Sequence, residues 1–285
     1  WQASRIIQTQ WQSLLNGLHG ASGSREHVPI DIIGFSRGAA LARHFGNLVA
    51  ERVQGRLFSY DDPLRGPIRT CVDLRFMGLF DTVAQFGLAG SHNSQYDLGI
   101  AAAWDWVAHA VALHERRWLF PVSSVAGSAG DNTVEAPFIG AHSDIGGGTL
   151  YDDEGRPFRH GDLSDVALNW MLWQARAAAA DFRLADRADR EISAPILHDE
   201  RSPVLRSIQD GDRSVLDAGG GKIHEYQDEH PRLGRRLRAS AEALIARHDD
   251  WRSRGPDVGV VDLDGYARWL YDELGWGAQP GTGTP

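Results

Sequence analysis

A single cysteine, Cys71, occurs in 285 residues. That excludes an internal disulfide and makes folding in a reducing compartment the default expectation. The sequence also lacks an apolar run of about eighteen residues, so it contains no transmembrane-helix candidate. Basic residues are in deficit: 29 Lys and Arg against 38 Asp and Glu leave a formal charge of −9. A general nucleic-acid binder would carry a basic face, and that class is excluded. Long-range attraction to anionic lipid is excluded as well, which leaves any membrane contact to local or apolar groups. Internal repeats are missing. So is metal-ligand spacing of the HExxH or EF-hand type. The nearest metal alternative is "HSD" combined with "YDDEGR"; without that spacing, no metal and no cofactor is expected. The chain opens on Trp1 rather than Met and reads as a fragment boundary, so an invisible signal peptide carries no weight.

What is present begins with "VPIDIIGFSRGAALAR", residues 28–43. A β-branched run of this kind forms a buried strand in an α/β sheet. Leu41, Phe45, Leu48 and Val49 then recur at helical spacing. Strand, Gly-x-Ser-x-Gly turn and helix together make a nucleophile elbow, with Ser36 at its tip. Gly34 and Gly38 are expected to be small because strand and helix crowd together there. The amide of Arg37, at a helix N-terminus, is expected to face a developing oxyanion.

Elsewhere, "SRIIQTQWQSLLNGLHG" predicts a helix, with Ile6, Ile7, Trp11, Leu14, Leu15 and Leu18 on one stripe. Residues 54–67 read as a loop rich in Gly, Pro and Asp. "RTCVDLRFMGLFDTV" reads as a buried strand ending near Phe80, and "IAAAWDWVAHAVALHERRWLF" as a long helix. "VEAPFIGAHSDIGGG" reads as a strand running into a glycine-rich loop, and "LSDVALNWMLWQARAAAADF" as a helix. Past residue 185 the pattern turns polar and irregular, with helices predicted at Leu233–His248 and Leu263–Leu274. Alternating strands and helices imply a mainly parallel sheet with helices on its faces.

In such sheets functional groups gather at the carboxyl ends of strands. Ser36, Asp81 and His142 all fall there, in the order Ser, Asp, His of α/β-hydrolases. A serine needs an imidazole to take its proton, and the imidazole needs a carboxylate on its other nitrogen. Eleven further histidines compete among the 12. His44 lies two turns along the elbow helix and is expected to point elsewhere, while His109 and His114 sit within the predicted long helix. His160, His198, His224 and His230 fall in polar segments and read as solvated. Among the acids, Asp73 lies inside a strand, and Asp144 reads as orienting the His142 loop.

The motifs "GFSRGAALAR", "FMGLFDTVAQFG", "HERRWLFPV" and "FIGAHSDIGGG" followed by "LSDVALNWML" occur in order across residues 28–180. In them the chain resembles the DUF2235 family, the catalytic domain of Tle1-like phospholipase effectors of bacterial type VI secretion. The resemblance implies an α/β-hydrolase-like fold with Ser36 as nucleophile, Asp81 as orienting acid and His142 as general base. It implies hydrolysis of glycerophospholipid acyl esters and no cofactor. The implied partners are a phospholipid membrane as substrate, an immunity protein, and a secretion spike or chaperone. The implied route runs from the bacterial cytoplasm to a target cell's periplasm.

Family members begin with a strand carrying Asp-Gly-Thr upstream of the elbow. Only about 27 residues precede the elbow strand here, so the N-terminal strands and a second oxyanion donor are expected to be missing from this chain or to lie on another segment. The expected organisation is a catalytic domain over 1–184, a helical lid, membrane-contact or partner region over 185–275, and a flexible tail over 276–285. Of the 10 Trp, Trp104 and Trp106 cannot share one helix face, which leaves one of them to meet an interface. A serine esterase or thioesterase on a soluble substrate, and a non-catalytic partner-binding module, are the competing readings.

Overall fold

Apolar runs and amphipathic stretches alternate along the first half of the chain and fold accordingly. They give α1 (Gln2–Gly20), β1 (Val28–Phe35), α2 (Arg37–Ala50), β2 (Val53–Gln54), β3 (Leu57–Asp62), β4 (Gly66–Phe80) and β5 (Trp106–Ala112). Next come β6 (Val122–Ser123), β7 (Thr133–Phe138), α3 (His142–Gly146) and α4 (Asp162–Ala177). The remainder holds β8 (Ile196–His198), α5 (Pro203–Ile208), β9 (Val215–Leu216), β10 (Lys222–His224), α6 (Arg235–Glu242), β11 (Ile245–Arg247), β12 (Asp257–Val261) and α7 (Leu263–Leu274). The computed structural model describes residues 2–24, 26–86, 96–126, 132–147, 162–182, 195–208, 213–219, 222–224, 235–253 and 256–277.

β4 is the spine of a six-stranded, mainly parallel sheet. Its first part pairs antiparallel with β3, and its last part runs parallel to both β1 and β5. β5 pairs parallel with β7. Helices cover both faces, as a parallel sheet requires. On one face Leu15 and Leu18 of α1 and Phe45 and Val49 of α2 pack with Val72, Met77 and Leu79. On the other, Trp170 and Met171 of α4 and Tyr266 and Trp269 of α7 pack with Phe76, Ala110 and Phe138. Among the described residues β1 pairs only with β4. A groove of about 940 Å³ follows β1, lined also by α1 and the start of α2.

The structure departs from the sequence reading in four places. The predicted long helix over residues 100–120 is instead β5 and a following loop. Val107, Ala108, Ala110, Val111 and Ala112 are all buried, and a central strand buried on both faces shows no alternation to distinguish it from a helix. Neither Trp104 nor Trp106 is exposed: Trp104 is buried, and half-buried Trp106 donates to Gln174, whereas Trp118 of the same stretch is exposed. The predicted loop over 54–67 contains a hairpin, β3 to β4, whose turn is closed by the amides of Leu64 and Arg65 on Asp62 Oδ1. The C-terminal segment is not purely helical. It contributes two small sheets, β11-β12-β8 and β10-β9-β6, the second shared with β6 of the earlier part of the chain. The predicted helix to His248 ends at Glu242, and β11 follows it.

Candidate active site

β1 delivers Ser36 directly past its last residue, and α2 starts at the next one. The serine backbone sits at φ 57°, ψ −124°, a region that side chains other than glycine rarely occupy and that persists only when neighbours enforce it. The Ser36 amide donates to Phe80 O at 2.9 Å, and the Val83 amide donates to Ser36 O at 3.3 Å, so β4 and its following loop enforce it. Gly34 makes the turn possible. A Cβ there would stand 2.5 Å from Gly38 O and 2.7 Å from both Cα and N of Ala39. Gly38 differs from expectation: a Cβ on it meets nothing within 4 Å. It lines the groove beside β1 rather than the strand–helix contact.

β4 ends on Phe80, and Asp81 follows at φ 41° with its amide on Ala110 O of β5. His142 opens α3, four residues past β7. These three strand ends meet. His142 Nε2 lies 2.8 Å from Ser36 Oγ, and His142 Nδ1 lies 2.6 Å from Asp81 Oδ2. Asp81 is fully buried and His142 nearly so. Phe35 and Phe120 pack their rings against the imidazole at centroid distances of 4.6 and 5.2 Å. Gly146 is required on the same account, since a Cβ there would stand 2.1 Å from the Phe35 ring. With Nδ1–H on the carboxylate, Nε2 is left as acceptor for the serine proton, an arrangement suited to general-base work.

The carboxylate of Asp81 is satisfied on every side. Oδ1 accepts the Ala112 amide at 2.8 Å and Arg213 Nη2 at 2.5 Å, and Oδ2 accepts Arg213 Nη1 at 2.7 Å. Burial alone would raise its pKa, but the Arg213 charge, with hydrogen bonds from His142 and Arg213, outweighs burial and holds it well below the usual carboxylate range.

Asp144 stands apart from this centre, in the first turn of α3. Its Oδ2 accepts the amides of Ala141 and His198, and its Oδ1 lies 2.5 Å from His198 Nδ1. His198 is therefore buried on Asp144 rather than solvated. Burial would lower its pKa, yet the bond and charge of Asp144, with Asp257 and Glu200, raise it. Glu115, in the loop after β5, accepts the His142 amide at 3.2 Å and binds the Arg117 guanidinium.

The rival histidines fall elsewhere. His44 Nδ1 accepts the Asp97 amide on the far side of α2. His109 belongs to β5 rather than a helix, where Nε2 accepts the Thr82 amide and Nδ1 lies 2.9 Å from Glu135. His114, buried just past β5, faces Gly140. Asp73 lies on the outer part of β4 with Arg56 and His27. His160, His230 and the "YDDEGR" half of the metal alternative lie outside the described residues. Among the described residues no group of three His, Cys, Asp or Glu is placed to hold a metal ion.

Arg213, Glu115 and His198 were invisible to sequence reasoning as site residues. "HERRWLFPV" carried Glu115 within a recognisable motif without indicating its bond to His142. Arg213 sits in a polar, aperiodic stretch that gives no signal at all.

Residues 62–174 match the family model described as T6SS, phospholipase effector Tle1-like, catalytic domain. The matched segment contains Asp81 and His142; Ser36 lies upstream of it and Arg213 downstream. No curated protein matches the chain. Among solved structures, the chain is similar to an uncharacterized protein from Pseudomonas aeruginosa, with 26% identity and a TM-score of 0.45 over 65% of this chain and 27% of that one. It is also similar to the Tle1 effector bound to the VgrG spike from the type 6 secretion system, with 23% identity and a TM-score of 0.40 over 65% of this chain and 52% of that one. The chain thus spans about a quarter and a half of these two structures' own lengths. Across residues 62–174, the segment that carries Asp81 and His142, the chain is similar to the Tle1-like catalytic domain.

Proposed function

We propose that the chain is the hydrolytic part of a serine lipolytic enzyme of α/β-hydrolase type, cleaving acyl esters of glycerophospholipids in the manner of a phospholipase A. One observation carries the reading: the continuous hydrogen-bonded line from Ser36 Oγ through His142 to Asp81, starting at a serine held in a strained turn. In the first step Ser36 Oγ attacks the ester carbonyl carbon while His142 Nε2 takes the hydroxyl proton. The tetrahedral oxyanion is received by the amide of Arg37, the first of α2 and so without an intrahelical acceptor. Collapse breaks the ester C–O bond, and the lysophospholipid alkoxide leaves with the proton from His142. Water, deprotonated by His142, then attacks the acyl-serine and releases the fatty acid. Gly34 and Asp144 serve as supports, one for the turn and one for the loop. Gly38 stands at the groove.

The family match supports the substrate class and a type VI secretion role. On that basis we infer cytoplasmic synthesis, delivery to a target-cell periplasm, carriage by a spike or chaperone, and neutralisation by an immunity protein. No helix among the described residues is long and apolar enough to cross a membrane. We also propose residues 1–184 as the catalytic domain, 185–275 as a covering or partner region, and 276–285 as a tail.

The test is fluorophosphonate labelling with Ser36→Ala and His142→Ala alongside, followed by phospholipid vesicles against a short-chain soluble ester. Labelling confined to Ser36 and lost in both variants, with faster turnover on vesicles, is expected. Faster turnover on the soluble ester would indicate an esterase. Absence of labelling in folded protein would leave a binding module.

A further inference from the structure

Arg213 reaches the centre from a segment 132 residues away from Asp81. Its guanidinium is completely buried and lies against the carboxylate as a two-pronged fork, Nη1 on Oδ2 and Nη2 on Oδ1. Nη2 also donates to Ala112 O at 2.9 Å, and the amide of Ala112 donates to Asp81 Oδ1. Acid, guanidinium and the Ala112 peptide group therefore form one closed set of hydrogen bonds. Sheet pairing fixes the segment: β9 runs parallel to β6, Val122 N donates to Ser214 O, and Ser124 N donates to Leu216 O. Arg213 is thus held in register two residues before β9, next to the Ser214 carbonyl that Val122 N bonds, not by its own flexible stem.

We propose that Arg213 is the positioning residue for the acid–imidazole pair. It fixes the plane of Asp81 so that Oδ2 is aimed at His142 Nδ1, and it keeps the buried carboxylate ionised. The inference rests on the hydrolase reading above. The chemistry favours a guanidinium here. A carboxylate removed from water costs several kcal/mol unless paired, and only a planar fork bonds both oxygens at once while leaving Oδ2 a lone pair for the imidazole. A lysine supplies charge but not the plane. The acid that steers His142 is consequently completed only when the segment around β9 is docked on β6. Catalytic competence then depends on a part of the chain outside the family-matched segment.

The experiment uses the full chain. Rates of Ser36 labelling by a fluorophosphonate are compared for wild type, Arg213→Lys and Arg213→Ala, each with its melting temperature. Labelling is then repeated for Arg213→Ala with sub-denaturing guanidinium, and with urea at the same concentration as control. The expected result is slowing of about 10- to 100-fold, by analogy with the loss seen when the hydrogen-bond partner that orients a metal-ligating side chain is removed. Lys is expected to recover part of the rate, and guanidinium but not urea to restore Arg213→Ala. Wild-type labelling absent at Ser36 would overturn the hydrolase reading and this inference with it. Normal wild-type labelling with unchanged rates in folded variants would overturn this inference alone. Slowing that guanidinium does not relieve, or failure of both variants to fold, would assign Arg213 to the fold and overturn its positioning role. If only Arg213→Ala fails to fold, Arg213→Lys decides by its labelling rate at an unchanged melting temperature.

Discussion

The two glycines of the Ser36 turn look equivalent in sequence, and the structure makes them opposites. In Gly34→Ala the new methyl would stand 2.5 Å from Gly38 O and 2.7 Å from Ala39 Cα and N. All three are backbone atoms, so no side chain can rotate away. The first turn of α2 must shift relative to β1. Overpacking of this kind costs about 1–3 kcal/mol, and the backbone character of the contacts places it near 3. For a chain of this size that lowers Tm by about 6–12 °C, taking roughly 2–4 °C per kcal/mol. Gly38→Ala meets nothing within 4 Å, and replacing a helical glycine by alanine stabilises by about 0.5–1 kcal/mol. Its Tm is expected to rise slightly. Differential scanning calorimetry of both variants reads the contrast, and the rate of Ser36 labelling reads the displacement of the serine in Gly34→Ala. Equal Tm changes in the two variants, of either sign, would refute the argument.

Asp81→Asn leaves the Arg213 guanidinium buried without a charged partner; a stability loss of about 3–5 kcal/mol is expected from urea unfolding at neutral pH. Arg43 is fully buried, its pKa lowered by burial to about 10, and it donates to the carbonyls of Leu98, Ser123 and Ser124. Arg43→Met orphans all three, so a loss of roughly 3 kcal/mol or more is expected at about 1–3 per buried acceptor. His198 has a raised folded pKa. Its contribution is fully present below the unfolded value near 6.5 and fades as pH rises through the folded one. Wild-type Tm is therefore expected to fall across that window more than the Tm of His198→Gln, and parallel curves would exclude the linkage.

How much of this was legible depends on whether a feature is local. α1, α2, α4 and α7 announce themselves by apolar spacing at one face, and β1, β4 and β7 by short apolar runs next to turn residues. β5 was hidden because its alanines serve burial under α4, not helix formation, and composition cannot tell those causes apart. β3 was hidden because "LFSYDD" alternates buried and exposed residues over too few positions, with turn residues at both ends. The positions of Ser36, Asp81 and His142 past three strands were readable because α/β sheets gather chemistry there. Their supports were not readable: Arg213, Glu115 and His198 each act on a residue at least 27 positions away.

That division has a physical origin. A strand end fixes where a functional atom stands, and the neighbours of Asp81 along the chain are already committed: Phe80 belongs to the core, and the Thr82 amide is bound to His109. No residue beside Asp81 is free to neutralise a carboxylate with no solvent exposure. The counter-charge must come from a distant segment, and the site must recruit it by folding. In the proposed hydrolase His142 alone cannot serve, because a base that accepts the serine proton carries no charge to offset the acid. A permanent cation resolves the conflict. In the proposed hydrolase Arg213 stabilises the acid throughout, while His142 takes and returns the serine proton.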